Sequence, residues 1–173
     1  PSRRLAAAAM EVLVHAIEAY ASPVYHPPAD ALALEGTRQL TRWLPVALAS
    51  PTDREAQREL MAAALTAGLA LEKAVGGVDA LAHPIKAELG PGVLHGDLHA
   101  PLMAAMADFN AEAVGDRYAA MAETFARKTQ APRFSAEIGA FARAIGMPTS
   151  LREIGIDLEQ ANADLEAMRS AEA

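Results

Sequence analysis

Apolar residues in this sequence recur three and four positions apart, which is the spacing of one face of an α-helix. In the first such segment, from Leu5 to about Tyr20, four residues share a face: Met10, Leu13, Val14 and Ile17. The alternation of β-branched or aromatic residues with polar ones that is typical of strands is nearly absent. The pattern predicts an all-α fold.

Breaks in this pattern divide the chain into roughly eight predicted helices within one domain, residues 1–173. Three prolines interrupt Ser22–Pro28, a capping box from Thr52 to Glu55 opens the third helix, Gly76-Gly77 ends or bends it, and Gly90-Pro91-Gly92 forms a turn. After the first helix, we predict helices at residues 30–48, 55–75, 78–89, 95–110, 113–128, 134–145 and 158–170, and a short helical turn after residue 150.

Composition limits the classes of function. The net charge of -7 and the lack of a basic stripe argue against a nucleic-acid partner. No stretch has the length and apolarity of a membrane span, and we expect no membrane association. The sequence contains no cysteine, which excludes disulfides and thiolate metal sites and is most simply explained by a cytoplasmic location. With 52% hydrophobic residues, 173 residues are enough for one packed core.

Histidines and carboxylates recur at helical spacing. Glu11 precedes His15 by four residues, and Asp79 precedes His83 by four, so each pair shares one side of a helix. Carboxylate oxygen and imidazole nitrogen suit Fe(II), Zn(II) or Mn(II), whereas the absence of sulfur leaves no soft ligand for copper. The same spacing is also typical of a solvated surface pair, so both interpretations stay open.

A third segment adds two histidines. His95 follows the Gly-Pro-Gly turn at the predicted start of a helix, and Asp97 and His99 come directly after it. This helix could complete a coordination sphere. His99 is either a partner that orients a ligand by hydrogen bonding or a residue of the helix flank, and the first interpretation is preferred. His26, beside Pro27, is expected to lie in a loop or at the surface.

The order of several motifs resembles the C-terminal half of the iron-containing alcohol dehydrogenase family, most closely its maleylacetate reductase branch. The motifs are MEVLVHAIEAY, PADALALEG, LASPTDREAQRELMAAALTAGLAL, VDALAHPIKAELGPGVLHGDLHA, HGDLHAPLMAAMADFN and MPTSLREIGI. Together they extend over nearly the entire chain.

The resemblance implies an all-helical domain that holds iron or zinc at a cleft against a separate NAD(P)-binding domain. It carries the four metal-ligand positions onto Glu11, His15, Asp79 and His95, and none of the dinucleotide-binding residues onto this chain. His83 matches a histidine near the nicotinamide and the substrate. We therefore expect His83 and His99 to be the catalytic residues.

Two of these ligand positions depart from the family pattern. Glu11 stands where the family has Asp, and Asp79 stands where it has His. Two carboxylates would neutralise a divalent cation and weaken it as a Lewis acid, so alkoxide stabilisation should be poorer.

We expect the chain to lack the nucleotide-binding half, so that hydride transfer needs a partner chain or domain and the chain alone is inactive as a dehydrogenase. One alternative is a stand-alone helical domain with non-redox, metal-assisted chemistry. The other is a degenerate binding or assembly protein, which should form a homodimer through the apolar surface left without its partner domain.

Overall fold

The structure, a computed structural model, describes residues 2–74, 76–125 and 133–156. Its helices are α1 (Ser2–Ala21), α2 (Pro27–Ala49), α3 (Arg54–Leu69), α4 (Gly77–Leu89), α5 (His95–Phe109), α6 (Ala111–Ala122) and α7 (Phe134–Ala144), with 3-10 turns at Ala70–Glu72 and Arg152–Ile154. These ranges contain no strand, which confirms the all-α prediction. No single helix within them is long and apolar enough to cross a membrane, although α3 with its 3-10 turn and α4, bent by 106°, together pass that test of length and composition.

Helix α1 is the central element of the bundle. It packs against α2, α3, α4, α5 and α6. All four residues of its predicted apolar face are completely buried: Met10, Leu13, Val14 and Ile17. Five alanines of α1 are buried as well, and their small side chains let the neighbouring helices approach closely. A central α1 matters for the site because this helix carries His15.

One glycine brings α5 into direct contact with α1. A Cβ added to Gly96 would collide with the carbonyl group of Ala7, so only glycine allows this approach. Gly96 immediately follows His95, and His99 lies one turn further along α5. The contact therefore places both histidines beside the helix that carries His15.

Several predicted helix ends differ from the observed ones. The predicted capping box at Thr52 is wrong, because Asp53 is the N-cap of α3 and its Oδ1 accepts from the backbone N–H groups of Glu55 at 2.9 Å and Ala56 at 3.1 Å. An Asp carboxylate is an N-cap at least as good as a Thr hydroxyl. Helix α3 ends at Leu69 instead of reaching residue 75, and α6 ends at Ala122 instead of 128. The predicted helix at 158–170 lies outside the described residues.

Candidate metal centre

Four histidine side chains surround the carboxylate of Asp79. Oδ1 of Asp79 lies 3.3 Å from Nε2 of His15, 3.4 Å from Nε2 of His95 and 3.9 Å from Nε2 of His99. Its other oxygen, Oδ2, lies 3.4 Å from Nε2 of His83. The structure therefore brings together five of the six residues that the sequence indicates as a site.

Three helices supply these side chains. His15 comes from the middle of α1, Asp79 from the first turn of α4, and His95 from the first residue of α5. His83 and His99 each follow one turn later on their helices, so the four-residue spacing aims each toward the same place as its predecessor. The four-residue spacing that predicted a shared helix side is therefore what assembles the cluster.

Side-chain exposure changes steadily across the cluster. The side chain of His99 is 0% exposed, those of His15, Asp79 and His95 are between 15% and 20% exposed, and that of His83 is 70% exposed. The cluster thus has a buried inner end at His99 and an open outer end at His83. A small molecule in solution reaches the outer end first.

Two overlapping sets of ligand atoms lie within 4.8 Å of one another: the inner set is His15, Asp79 and His99, and the outer set is Asp79, His83 and His95. Imidazole nitrogen and carboxylate oxygen are the donors that Fe(II), Zn(II) and Mn(II) accept. The buried Nε2 of His99 has no hydrogen-bond partner among the described residues, which leaves its lone pair available to an ion. These residues fit a divalent first-row metal.

The hydrogen bond of His99 determines which of its nitrogens carries the proton. Nδ1 lies 3.1 Å from the carbonyl oxygen of His95, which can only accept, so Nδ1 is protonated and Nε2 is not. Burial lowers the pKa of His99 to about 4, so this imidazole is neutral near pH 7.

Asp79 is the anionic centre of the cluster. Burial by itself would raise its pKa, but the hydrogen bonds from His15 and His95 and the charge of nearby imidazoles lower it overall. The Asp79 carboxylate is therefore ionised at neutral pH, and it is the strongest attraction for a cation at this place.

A buried glutamate that the sequence analysis did not identify fixes the position of α4. Oε1 of Glu18 accepts from the backbone N–H of Val78 at 2.7 Å, and Oε2 accepts from that of Gly76 at 3.3 Å. Gly76 is the N-cap of α4 and has no side chain, so Glu18 satisfies the free N–H groups of the first turn from another helix.

Glu18 also holds that turn against α1. Burial raises its pKa, while hydrogen bonds from Val78, Asp79 and Gly76 act in the opposite direction. Because Glu18 lies one turn after His15 on α1, the contact sets the distance between His15 and Asp79. The sequence signal was a carboxylate among the apolar residues of α1.

Two carboxylates near the cluster belong to neither set of ligand atoms. Asp97 is fully buried, and its Oδ2 accepts from Nη2 of Arg3 at 2.6 Å and from the backbone N–H of Leu94 at 2.8 Å, so it stabilises the start of α5. Glu11 has no hydrogen bond or ion pair with any part of the chain that the structure describes. Coordination by Glu11 stays a prediction.

His26, which was expected to lie in a loop or at the surface, is half-buried just before α2 and belongs to neither set of ligand atoms among the described residues. It is the N-cap of α2, and its Nδ1 accepts from the backbone N–H of Ala29 at 3.2 Å. His26 therefore stabilises the start of α2.

Residues 5–171 match the Fe-containing alcohol dehydrogenase family, C-terminal. The chain is 32% identical to a 4-hydroxybutyrate dehydrogenase of Cupriavidus necator over 163 residues, which cover 90% of the chain and 42% of that relative. It is thus less than half as long as this curated relative.

Solved structures show the same relationship. A sulfoacetaldehyde reductase from Bifidobacterium kashiwanohense in complex with NAD+ superposes with a TM-score of 0.78 at 28% identity, covering 95% of this chain and 43% of that one. A maleylacetate reductase from Rhizobium sp. strain MTP-10005 gives a TM-score of 0.81 at 25% identity, covering 94% and 45%. The all-helical fold, the matched residues and these relatives agree, and the chain belongs to the Fe-containing alcohol dehydrogenase family, of which it represents the C-terminal domain.

Proposed function

We propose that this chain is the metal-binding helical domain of an NAD(P)-dependent dehydrogenase or reductase. A divalent ion, Fe2+ or Zn2+, is held by His15, Asp79 and His95; the family resemblance predicts Glu11 as a fourth ligand, and that position stays open here. The observation that supports this most is the position of the Asp79 carboxylate, with three imidazole Nε2 atoms within 3.9 Å of one of its oxygens. When bound, the ion polarises a carbonyl or alcohol oxygen for hydride transfer.

His83 is the residue placed to meet the substrate. Its side chain is 70% exposed, and its ring lies 4.6 Å from that of His95 at the outer end of the cluster. An imidazole there can donate a hydrogen bond to a substrate oxygen or exchange a proton with it. His99, the other residue predicted to be catalytic, is fully buried, so it acts through the cluster without touching the substrate.

The dinucleotide is bound by another domain or by a partner chain. The chain corresponds to about 43% of the reductase that was solved in complex with NAD+. Hydride transfer needs a nicotinamide ring near the outer end of the cluster, where His83 is exposed. We therefore expect the chain alone to be inactive as a dehydrogenase.

We also propose that the chain associates with a second copy of itself. Met61, Leu65 and Leu69 form a stripe along α3 and are 73%, 66% and 50% exposed. An exposed apolar stripe of this kind is typical of an interface between protein chains. A homodimer would cover it.

Metal analysis of the purified chain tests the central claim. After chelation and reloading with Zn2+, we expect one tightly held ion per chain, and Asp79→Ala should lower the affinity by more than about 100-fold because it removes a direct ligand. Glu59→Ala, which removes a carboxylate from the surface of α3, is the matched control and should bind as the unchanged chain does. Equal binding by the Asp79→Ala variant would contradict the proposal.

One observation favours a second candidate function, metal-assisted chemistry without hydride transfer. Asp79 supplies a carboxylate at a position where the family resemblance implies a histidine, and extra negative charge changes the acidity of an ion and its bound water. Restored NAD(P)H oxidation on addition of a nucleotide-binding domain from a relative would favour the dehydrogenase; metal-dependent turnover by the chain alone would favour this alternative.

A further inference from the structure

Three properties of His99 indicate that it has a role in the cluster. Its side chain is 0% exposed, its Nε2 has no hydrogen-bond partner in the part of the chain that the structure describes, and that atom lies 3.9 Å from Oδ1 of Asp79. A buried polar atom without a partner is unfavourable by about 1–3 kcal/mol, so its retention needs an explanation.

The other nitrogen of the same ring is held in the manner of a metal ligand. Nδ1 donates to the carbonyl oxygen of His95 at 3.1 Å, which fixes the orientation of the ring and leaves the lone pair on Nε2. Histidines that bind metals usually donate their second ring N–H to a carbonyl or a carboxylate in this way.

The neighbours of Nε2 supply the rest of a ligand set. His15, Asp79 and His99 place their ligand atoms within 4.8 Å of one another, and the rings of His15 and His99 lie 5.7 Å apart and nearly perpendicular, at 79°. The ring centroids of His95 and His99 are 4.7 Å apart. His95 belongs to the outer set, but its Nε2 lies 3.4 Å from the same Oδ1 of Asp79, so an ion bound near that oxygen is within reach of three imidazoles.

We infer that His99 is a direct metal ligand in this chain and that Glu11 is not, so that His15, Asp79, His95 and His99 form the coordination sphere. The inference rests on the proposed function, since it requires that a divalent ion binds here at all. Glu11 belongs to neither set of ligand atoms among the described residues.

The net charge of the site supports His99, and not Glu11, as the fourth ligand. Two carboxylates would cancel the charge of a divalent ion, whereas one carboxylate and three neutral imidazoles leave a net positive charge. An ion of that kind remains an effective Lewis acid. With His99 in place of Glu11, Asp79 is the only carboxylate ligand, so the ion keeps a net positive charge and its Lewis acidity.

Two substitutions of His99 test the roles of its two ring nitrogens separately. His99→Asn keeps a donor near the position of Nδ1 and removes Nε2, while His99→Gln reaches the depth of Nε2 with an amide oxygen. Glu11→Gln is the matched control at the other position. Circular dichroism establishes which variants fold, and His99→Gln replaces His99→Asn if the smaller side chain prevents folding.

X-ray absorption at the zinc edge counts the imidazoles around bound Zn2+, and competition with a chromophoric chelator measures its affinity. We expect three imidazoles in the unchanged chain and in Glu11→Gln, and two in the folded His99 variant. The affinity of His99→Asn should fall by more than about 100-fold, beyond the 10- to 100-fold usual for a residue that only orients a ligand. In His99→Gln the amide oxygen can take the place of Nε2, so the imidazole count alone decides for that variant.

Each other outcome has one meaning. If the unchanged chain binds Zn2+ and the His99 variant keeps the same imidazole count, His99 is not a ligand and the inference fails while the proposed metal site stands. A loss of oxygen ligation in Glu11→Gln with an unchanged imidazole count would also overturn it. If the unchanged chain binds no Zn2+, the metal site and the inference fail together.

Discussion

Two carboxylates of this domain, Asp30 and Asp79, are each surrounded by basic side chains, but of different kinds. Oδ1 of Asp30 lies 2.6 Å from the ammonium Nζ of Lys73 and 2.8 Å from the guanidinium Nη2 of Arg117. The partners of Asp79 are imidazoles at 3.3 Å or more, which are charged only when protonated. Asp30 is neutralised by the chain itself, whereas Asp79 is not.

The two regions therefore have different roles. The Asp30 network connects α2 to the turn after α3 and to α6, and Lys73 is completely buried within it. Its short distances indicate a structural ion network. The longer distances around Asp79 leave its negative charge only partly compensated. The carboxylate can therefore still attract a cation, as a binding site requires.

The largest expected effect tests this difference through Lys73. Lys73→Met removes the buried hydrogen-bond partner of Asp30 and leaves Arg117 as its remaining ion partner, so we expect a loss of about 2–3 kcal/mol in the free energy of unfolding. Asp79→Asn, measured on metal-free protein, should change it by less than about 1 kcal/mol, since exchange of one group in a half-open cluster has a small effect. Urea unfolding followed by circular dichroism measures both. Equal losses in the two variants would remove the distinction.

An intermediate effect is expected at Glu18. Glu18→Ala removes the cap of α4 and should lower the free energy of unfolding by about 1–2 kcal/mol. Because α4 then loses its fixed position against α1, Zn2+ affinity should also fall, by about 10-fold. Glu18→Gln keeps one acceptor oxygen and is the control, with smaller losses in both measurements. Unchanged Zn2+ affinity in Glu18→Ala would show that α4 keeps its position without this cap.

The smallest expected effect concerns acid stability. Burial would raise the pKa of Asp30, but Lys73 and Arg117 lower it overall below its usual 3.8. A carboxyl whose pKa is lower in the folded chain stabilises the fold above the unfolded value, and this contribution is lost as the pH falls through the folded value. Melting temperatures between pH 5 and pH 2, about the range in which Asp titrates, should therefore fall less steeply for Asp30→Asn than for the unchanged chain. Parallel curves would refute the assignment.

The helices could be predicted from the sequence because their signals are local. The spacing of Leu13 and Ile17 identifies the buried face of α1, and both are completely buried. Helix ends were harder, because neighbouring candidates such as Thr52 and Asp53 have nearly equal capping energies. Only the geometry of the loop decides between them.

The residues of the site could be predicted from the sequence only where they lie four positions apart on one helix. Asp79 and His83 share one side of α4 by spacing alone, and His15 was identified by its carboxylate neighbour. The contacts of Glu18 with Gly76 and Val78 join residues 58 and 60 positions apart, so no local pattern reveals them. The free nitrogen of His99 likewise exists only because α1, α4 and α5 meet.

The contact between Gly96 and Ala7 makes two of the histidines depend on a position that carries no side chain at all. Any substitution at position 96 must push the start of α5 outward, and His95 would then move with the backbone. Efforts to redesign this pocket should therefore treat the backbone crossing as fixed and vary the outer face around His83, where replacement leaves the helix spacing intact.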